Sequence, residues 1–103
     1  MCNKEFFSKT KCSAVFVNVS RGEVVDQSAL IQALKSGEIF SAGLDVATPE
    51  PLPTDHELLQ LDNVVITPHL GSATVNTRKA MAELAARNIL QGLAGEEMIS
   101  RIA

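Results

Sequence analysis

The apolar positions of this chain include three short runs, each ending in a polar turn that leads into another element. Ala14 to Val19 (AVFVNV) is the first predicted strand, with only Asn18 interrupting its apolar run. Ser41 to Val46 (SAGLDV) is the second, and Val64 to Ile66, within NVVIT, is the third. Runs with apolar residues on both parities predict strands buried on both faces of a mostly parallel sheet. Between them the spacing turns helical. Asp26 is a good N-cap for a helix to Lys35, with Ala29, Leu30, Ala33 and Leu34 on one stripe and Ser36-Gly37 ending it. Asn3 to Lys11 reads as a short opening helix, edged by Phe6 and Phe7, and His56 to Leu61 (HELLQL) as a single helical turn. From about Ala73 to Leu93 a longer helix aligns Met81, Leu84, Ala85, Ile89 and Leu93, with Gly92 and Gly95 ending it. The order α, β, α, β, short α, β, long α predicts an α/β fold with parallel strands and right-handed crossovers.

In such a sheet the carboxyl ends of the strands lie along one edge, where open α/β sheets place their ligands. The three strands end in SRG, DV and PHLG, so Arg21, Asp45 and His69 gather there although 24 residues separate each from the next. Thr67 and Pro68 stop the third strand, because proline cannot donate to a ladder. The loop ATPEPLPTD carries three prolines and brings Glu50 toward the same edge. Taken singly, each residue has a plain structural reading. Arg21 could be a surface ion pair, Glu50 a solvated charge and His69 a capping group. Together they suit a small α-keto acid. A guanidinium binds a planar carboxylate through two parallel hydrogen bonds, and a histidine backed by a carboxylate can protonate a carbonyl oxygen during reduction.

Composition narrows the choice. The chain has 103 residues, 46% hydrophobic and 20% charged, with a formal net charge of −3, which suits one small globular domain. It shows no basic stripe, and with four Phe and neither Tyr nor Trp it lacks stacking platforms for nucleic acid. No apolar run approaches the roughly 20 residues of a membrane helix, and MCNKEFFSK has no signal-peptide core. Cys2 and Cys12 do not form a CxxC pair, which points to reduced thiols and a cytoplasmic protein. His56, His69 and the cysteines make no zinc pattern, Ser20 has no GxSxG context, and neither GxGxxG nor GxxxxGK[ST] occurs.

Three blocks, NVSRGEVVDQSALIQALKSGEI, AGLDVATPEPLP and LLQLDNVVITPHLGSAT, resemble the D-isomer-specific 2-hydroxyacid dehydrogenases in order and spacing, from Cys2 to about Glu97. Within the family, CNKEFF and ATPEPLPTDHELL are similar to the vertebrate branch that reduces glyoxylate and hydroxypyruvate. The resemblance implies the carboxyl-terminal half of a Rossmann-like, doubly wound NAD(P)-binding domain over residues 1–72, then a helix and tail, 73–103, returning toward a substrate domain. It implies that Arg21 binds the substrate carboxylate and carbonyl. His69 would be the general acid, and Glu50 its hydrogen-bond partner, favouring its protonated form. Asp45 would contact the nicotinamide carboxamide. Val19, Ser20, Arg21, His69 and Gly71 would border the cofactor, and Ser72 the substrate with Arg21 and His69. NAD(P)H is the implied cofactor, with NADPH favoured, and a homodimer the implied assembly. The cofactor's glycine-rich fingerprint would lie upstream, so the resemblance also implies that these 103 residues alone do not turn over substrate. One departure is Glu57, where the family often has proline. A non-catalytic, nucleotide-sensing corepressor on the same fold would keep Arg21, Glu50 and His69, as would a subunit acting only by association.

Overall fold

The computed structural model describes residues 1–102 and divides into two compact units, Met1–Gly71 and the residues from Ser72 onward. In the first unit, α1 spans Lys4–Ser8, β1 Val15–Asn18, α2 Gln27–Ser36, β2 Ser41–Leu44 and β3 Val64–Ile66, with 3₁₀ turns at Gly22–Val24 and Glu57–Gln60. The strands form one parallel sheet in the order β1-β2-β3, with Val15 opposite Ser41 and Ala42 opposite Val64. The predicted α/β fold is the one observed.

Local chemistry sets the ends of these elements. Asn3 caps α1 by accepting from Phe6 N–H, and Asp26 caps α2 by accepting from Ala29 N–H. Gly37, at φ 73°, closes α2 in the left-handed conformation that glycine tolerates best. α1 ends at Ser8, short of the expected Lys11, because Thr10 turns back on it, its N–H to Phe7 O and its hydroxyl to Phe6 O. Glu57 forms an exposed ion pair with Lys35, so the departure from proline there ties the Glu57–Gln60 turn to α2, worth at most about 1 kcal/mol.

The core lies on one face of the sheet. Phe7, Leu30, Ile39 and Leu58 are fully buried, with Ala42 and Leu44 beneath them and Phe16, Val64 and Ile66 packed alongside. Phe6, Phe7 and Phe16 meet edge to face with centroids 5.2 to 6.2 Å apart. The opposite face is open, contrary to the expectation of strands buried on both sides: Val15, Val17 and Val65 are 60%, 62% and 69% exposed. Topology gives the reason. Parallel strands in sequential order, joined by crossovers of one hand, put every connection on the same face. Helices change face only where the strand order reverses.

The second unit is built on α3, Val75–Ala94, about 30 Å long at 1.5 Å per residue. Thr74 caps it by accepting from Thr77 N–H. Gly95, at φ 72°, ends it, whereas Gly92 lies inside the helix rather than at its end. No α3 residue is buried, and Met81, Leu84, Ile89 and Leu93 are all exposed. The tail returns to the helix through Ile99 N–H on Gln91 and Ser100 N–H on Asn88.

Gly22 needs no unusual backbone angle, only space. A Cβ there would fall inside contact distance of the Ala47 carbonyl and the Thr48 hydroxyl. Gly22→Ala must therefore move the loop backbone, and we expect it to destabilise the fold by about 1–3 kcal/mol in urea unfolding. Wild-type stability in this variant would mean that the loop yields freely.

Candidate active site

The site grows from the register of β2 and β3. One step beyond the Leu44–Ile66 pair come Asp45 and Thr67, neighbours across the strands on the face away from the core. Thr67 N–H donates to Leu44 O at 2.8 Å and Asp45 N–H to Asn18 O at 2.9 Å, which carries the ladder to the sheet edge. Asp45 is only 7% exposed, so its charge must be met internally. Its Oδ1 accepts from the Thr67 hydroxyl and, at 2.7 Å, from Leu70 N–H, and its Oδ2 accepts from Gly71 N–H at 2.7 Å. The Thr67 hydroxyl and the Leu70 amide, with smaller help from Gly71 and the nearby His69, hold its carboxyl below the usual value despite the opposing effect of burial.

The loop tied down in this way carries His69. The residue sits at φ 56°, left-handed for a non-glycine side chain, with its N–H on Thr67 O at 3.0 Å. Such a conformation costs of order 1–3 kcal/mol and persists where surrounding structure over-determines it. Here the Asp45 bonds to the two residues that follow provide that constraint. His69 Nδ1 lies 3.0 Å from Glu50 Oε2. Glu50 Oε1 accepts from Ala47 N–H at 2.9 Å. The His69 hydrogen bond first, then the Ala47 amide, lowers the Glu50 carboxyl, with weaker contributions from the His69 and Arg21 charges.

The pair borders a cleft of about 530 Å³ whose walls include Asp45, Leu52, Leu59, Ile66 and Pro68. Arg21 does not line this cleft. It shares with Glu50 a smaller one of about 200 Å³, and its Nη1 donates to Ser20 O at 2.7 Å. Ala47 and Glu50 line both clefts, and Glu50 is the charged residue they share. Val19 is exposed at the end of β1, and Ser20 is occupied by Asn18, whose Oδ1 accepts from both its N–H and its hydroxyl. Ser72 opens the second unit, its carbonyl accepting from Thr74 N–H.

Two residues that shape the edge are absent from the expected set. Asn18, 5% exposed, shapes the SRG turn by also donating to Arg21 O at 2.9 Å. A polar residue inside an apolar strand was its signal. Thr67 looked like a strand stop, yet its hydroxyl is the leading support of the Asp45 charge. Among the described residues no three His, Cys, Asp or Glu side chains could hold a metal, and no helix is long and apolar enough to cross a membrane.

A parallel sheet with helical crossovers and an acid–histidine pair at its carboxyl edge has the architecture of an α/β, Rossmann-like domain. The chain belongs to the D-isomer specific 2-hydroxyacid dehydrogenases, residues 1–71 matching the model of their NAD binding domain. It is 61% identical over 102 residues to human glyoxylate reductase/hydroxypyruvate reductase, covering 99% of this chain and 31% of the relative. It is 51% identical over 96 residues to the glyoxylate reductase of Thermofilum pendens, covering 93% and 28%. Among solved structures it is similar to an NADPH-dependent glyoxylate/hydroxypyruvate reductase from Sinorhizobium meliloti in complex with NADP and malonate. That likeness has a TM-score of 0.84 and 39% identity, covering 98% of this chain and 31% of that one. The chain thus spans about a third of the length of these relatives.

The residues present fit the nicotinamide end of such a cofactor. Two carboxylate oxygens offer about four acceptor positions. Asp45 uses three of them, which leaves one for a carboxamide N–H.

Because these donors hold the folded carboxyl of Asp45 below its ordinary value, their stabilisation is present at pH above the ordinary carboxyl range and is lost as pH falls through the lowered one. Thr67→Val should raise the Asp45 pKa in a carboxyl NMR titration. It should cost stability at neutral pH, and the cost should shrink under acid. An Asp45 that titrates at its ordinary value in the wild type would contradict this.

Proposed function

We propose that this chain supplies the substrate-binding and proton-donating edge of an NAD(P)H-dependent reductase that converts glyoxylate or hydroxypyruvate to the D-2-hydroxy acid. The observation that carries the reading is the His69 Nδ1–Glu50 Oε2 pair at the mouth of the cleft. With Nδ1 turned to Glu50, Nε2 is the nitrogen left to give its proton to the carbonyl oxygen. Arg21, which borders the smaller cleft with Glu50, binds the carboxylate through its forked donors. Asp45 accepts from the carboxamide, while Val19, Ser20, Arg21, His69 and Gly71 border the cofactor. Ser72, which follows Gly71 directly, keeps the substrate role that the resemblance gives it. When bound, the reduced nicotinamide supplies the hydride. The NADP and NADPH named in the Sinorhizobium meliloti structure and in that of a Xanthobacter autotrophicus relative favour NADPH. Residues 73–103 lead toward a substrate domain, and the working assembly is a cytoplasmic homodimer.

The test is a chimera in which this chain replaces the matching segment of the human relative. It should oxidise NADPH in the presence of hydroxypyruvate, whereas the 103 residues alone should not. A folded chimera that binds NADPH but reduces no 2-keto acid would refute the reading. In the active chimera, His69→Gln should lower kcat roughly 10²- to 10⁴-fold, the scale of a lost general acid, with NADPH affinity little changed. Wild-type turnover would remove His69 from the chemistry. Arg21→Lys should cost at least about tenfold in kcat/KM, near 1.4 kcal/mol, since an ammonium cannot reproduce the fork. Unchanged kinetics would take Arg21 out of the substrate site.

A further inference from the structure

Glu50 can meet His69 only if the turn that carries it is held at the right height over the loop after β3. The bond from Ala47 N–H to Glu50 Oε1 closes the turn on itself and does nothing to anchor it to the fold. Among the described residues, the hydrogen bonds that join Thr48 to Glu50 to another element are the one to His69 and a pair made by Gln27. Gln27 Nε2 donates to Thr48 O at 2.6 Å, and Thr48 N–H donates to Gln27 Oε1 at 3.0 Å. One planar amide thus satisfies both backbone groups of a residue 21 positions away, from the first position of α2. A side-chain amide is the group with a donor and an acceptor side by side at this reach, and its orientation follows from the two Thr48 groups. His56 Nε2 also lies 3.2 Å from Gln27 Nε2, but Leu58 N–H faces the other ring nitrogen at 3.2 Å. A neutral imidazole carries one proton, so it cannot accept at both nitrogens, and Thr48 is the firmer partner.

We propose that Gln27 is a positioning residue, whose amide clamp on Thr48 sets Glu50 against His69. Gln27 lines neither cleft, so the clamp acts through the turn. Its catalytic consequence rests on the function proposed above, while its structural claim stands on this chain alone.

The decisive measurement is amide hydrogen exchange on the 103-residue chain and its Gln27→Ala variant. Alanine is well tolerated at the start of a helix, so α2 should persist and Leu30 N–H should keep its protection. Thr48 N–H loses its direct acceptor, and Ala47 N–H, which Gln27 does not touch, should also exchange at least about tenfold faster. Ala47 protection that survives the substitution overturns the proposal, because the turn would then hold Glu50 unaided. In the active chimera, Gln27→Ala should lower kcat about tenfold with KM within about twofold, and the loss should disappear in a Glu50→Ala background. Equal losses in both backgrounds would make Gln27 a general stabiliser and also overturn the proposal. An inactive chimera counts against the proposed function, and the exchange of Ala47 still decides the clamp.

Discussion

The Asp45 carboxylate is the constraint on which the site depends. A charge so nearly excluded from water at the end of a strand is tolerable only if donors surround it, and three come from the five residues Thr67 to Gly71. Meeting that requirement fixes the course of the loop. Two consecutive amides directed at one carboxylate turn the chain sharply just before them, and His69 occupies the left-handed position at that point. The strain at His69 and the burial of Asp45 are two sides of one arrangement: the hydrogen bonds that make the charge bearable also hold the histidine in place. Asp45 thereby has a structural duty alongside the cofactor contact proposed for it, and its one remaining acceptor position is what allows both.

The hydrogen-bonded pair of Glu50 and His69 has the opposite character. Glu50 and His69 are both well exposed, and water screens such a pair so strongly that it cannot organise the loops that carry it. Its 3.0 Å geometry has to be imposed from outside. Asp45 holds the histidine side, and the tight fit of Gly22 under Ala47 and Thr48, with the Gln27 amide, holds the glutamate side. Two loops from different strands are thus anchored separately and meet at a contact that adds little stability of its own, which leaves His69 Nε2 free to face the cleft.

Much of this was legible in the sequence because periodicity and capping are local. Asp26, Ser36-Gly37 and the run Val64 to Ile66 mark their elements within a residue or so. Parallel alternation is enough to bring Asp45, Glu50 and His69 to one edge. The open sheet face was not legible, since apolar runs such as AVFVNV record what a strand can bury and not whether this stretch of chain provides the cover. The roles of Gly22, Gln27 and Thr67 were hidden for another reason. Each depends on a partner more than 20 residues away, and spacing along the chain carries no trace of it.

Asn18 lies between these cases and shows where a sequence can say more. An amide in the last position of an apolar strand is costly unless its donors and acceptors are used at once, and here its side chain accepts from Ser20 and donates to Arg21 O. That local ring makes the SRG turn compact and brings Gly22 under the Ala47 carbonyl, where only a hydrogen fits. The turn after β1 and the turn after β2 are therefore packed against each other by backbone, and Arg21 and Glu50 border one small cleft as a result. The spacing of the guanidinium from the acid–histidine pair is set by that backbone contact, so Asn18 and Gly22 govern the site's geometry from positions that carry none of its charge.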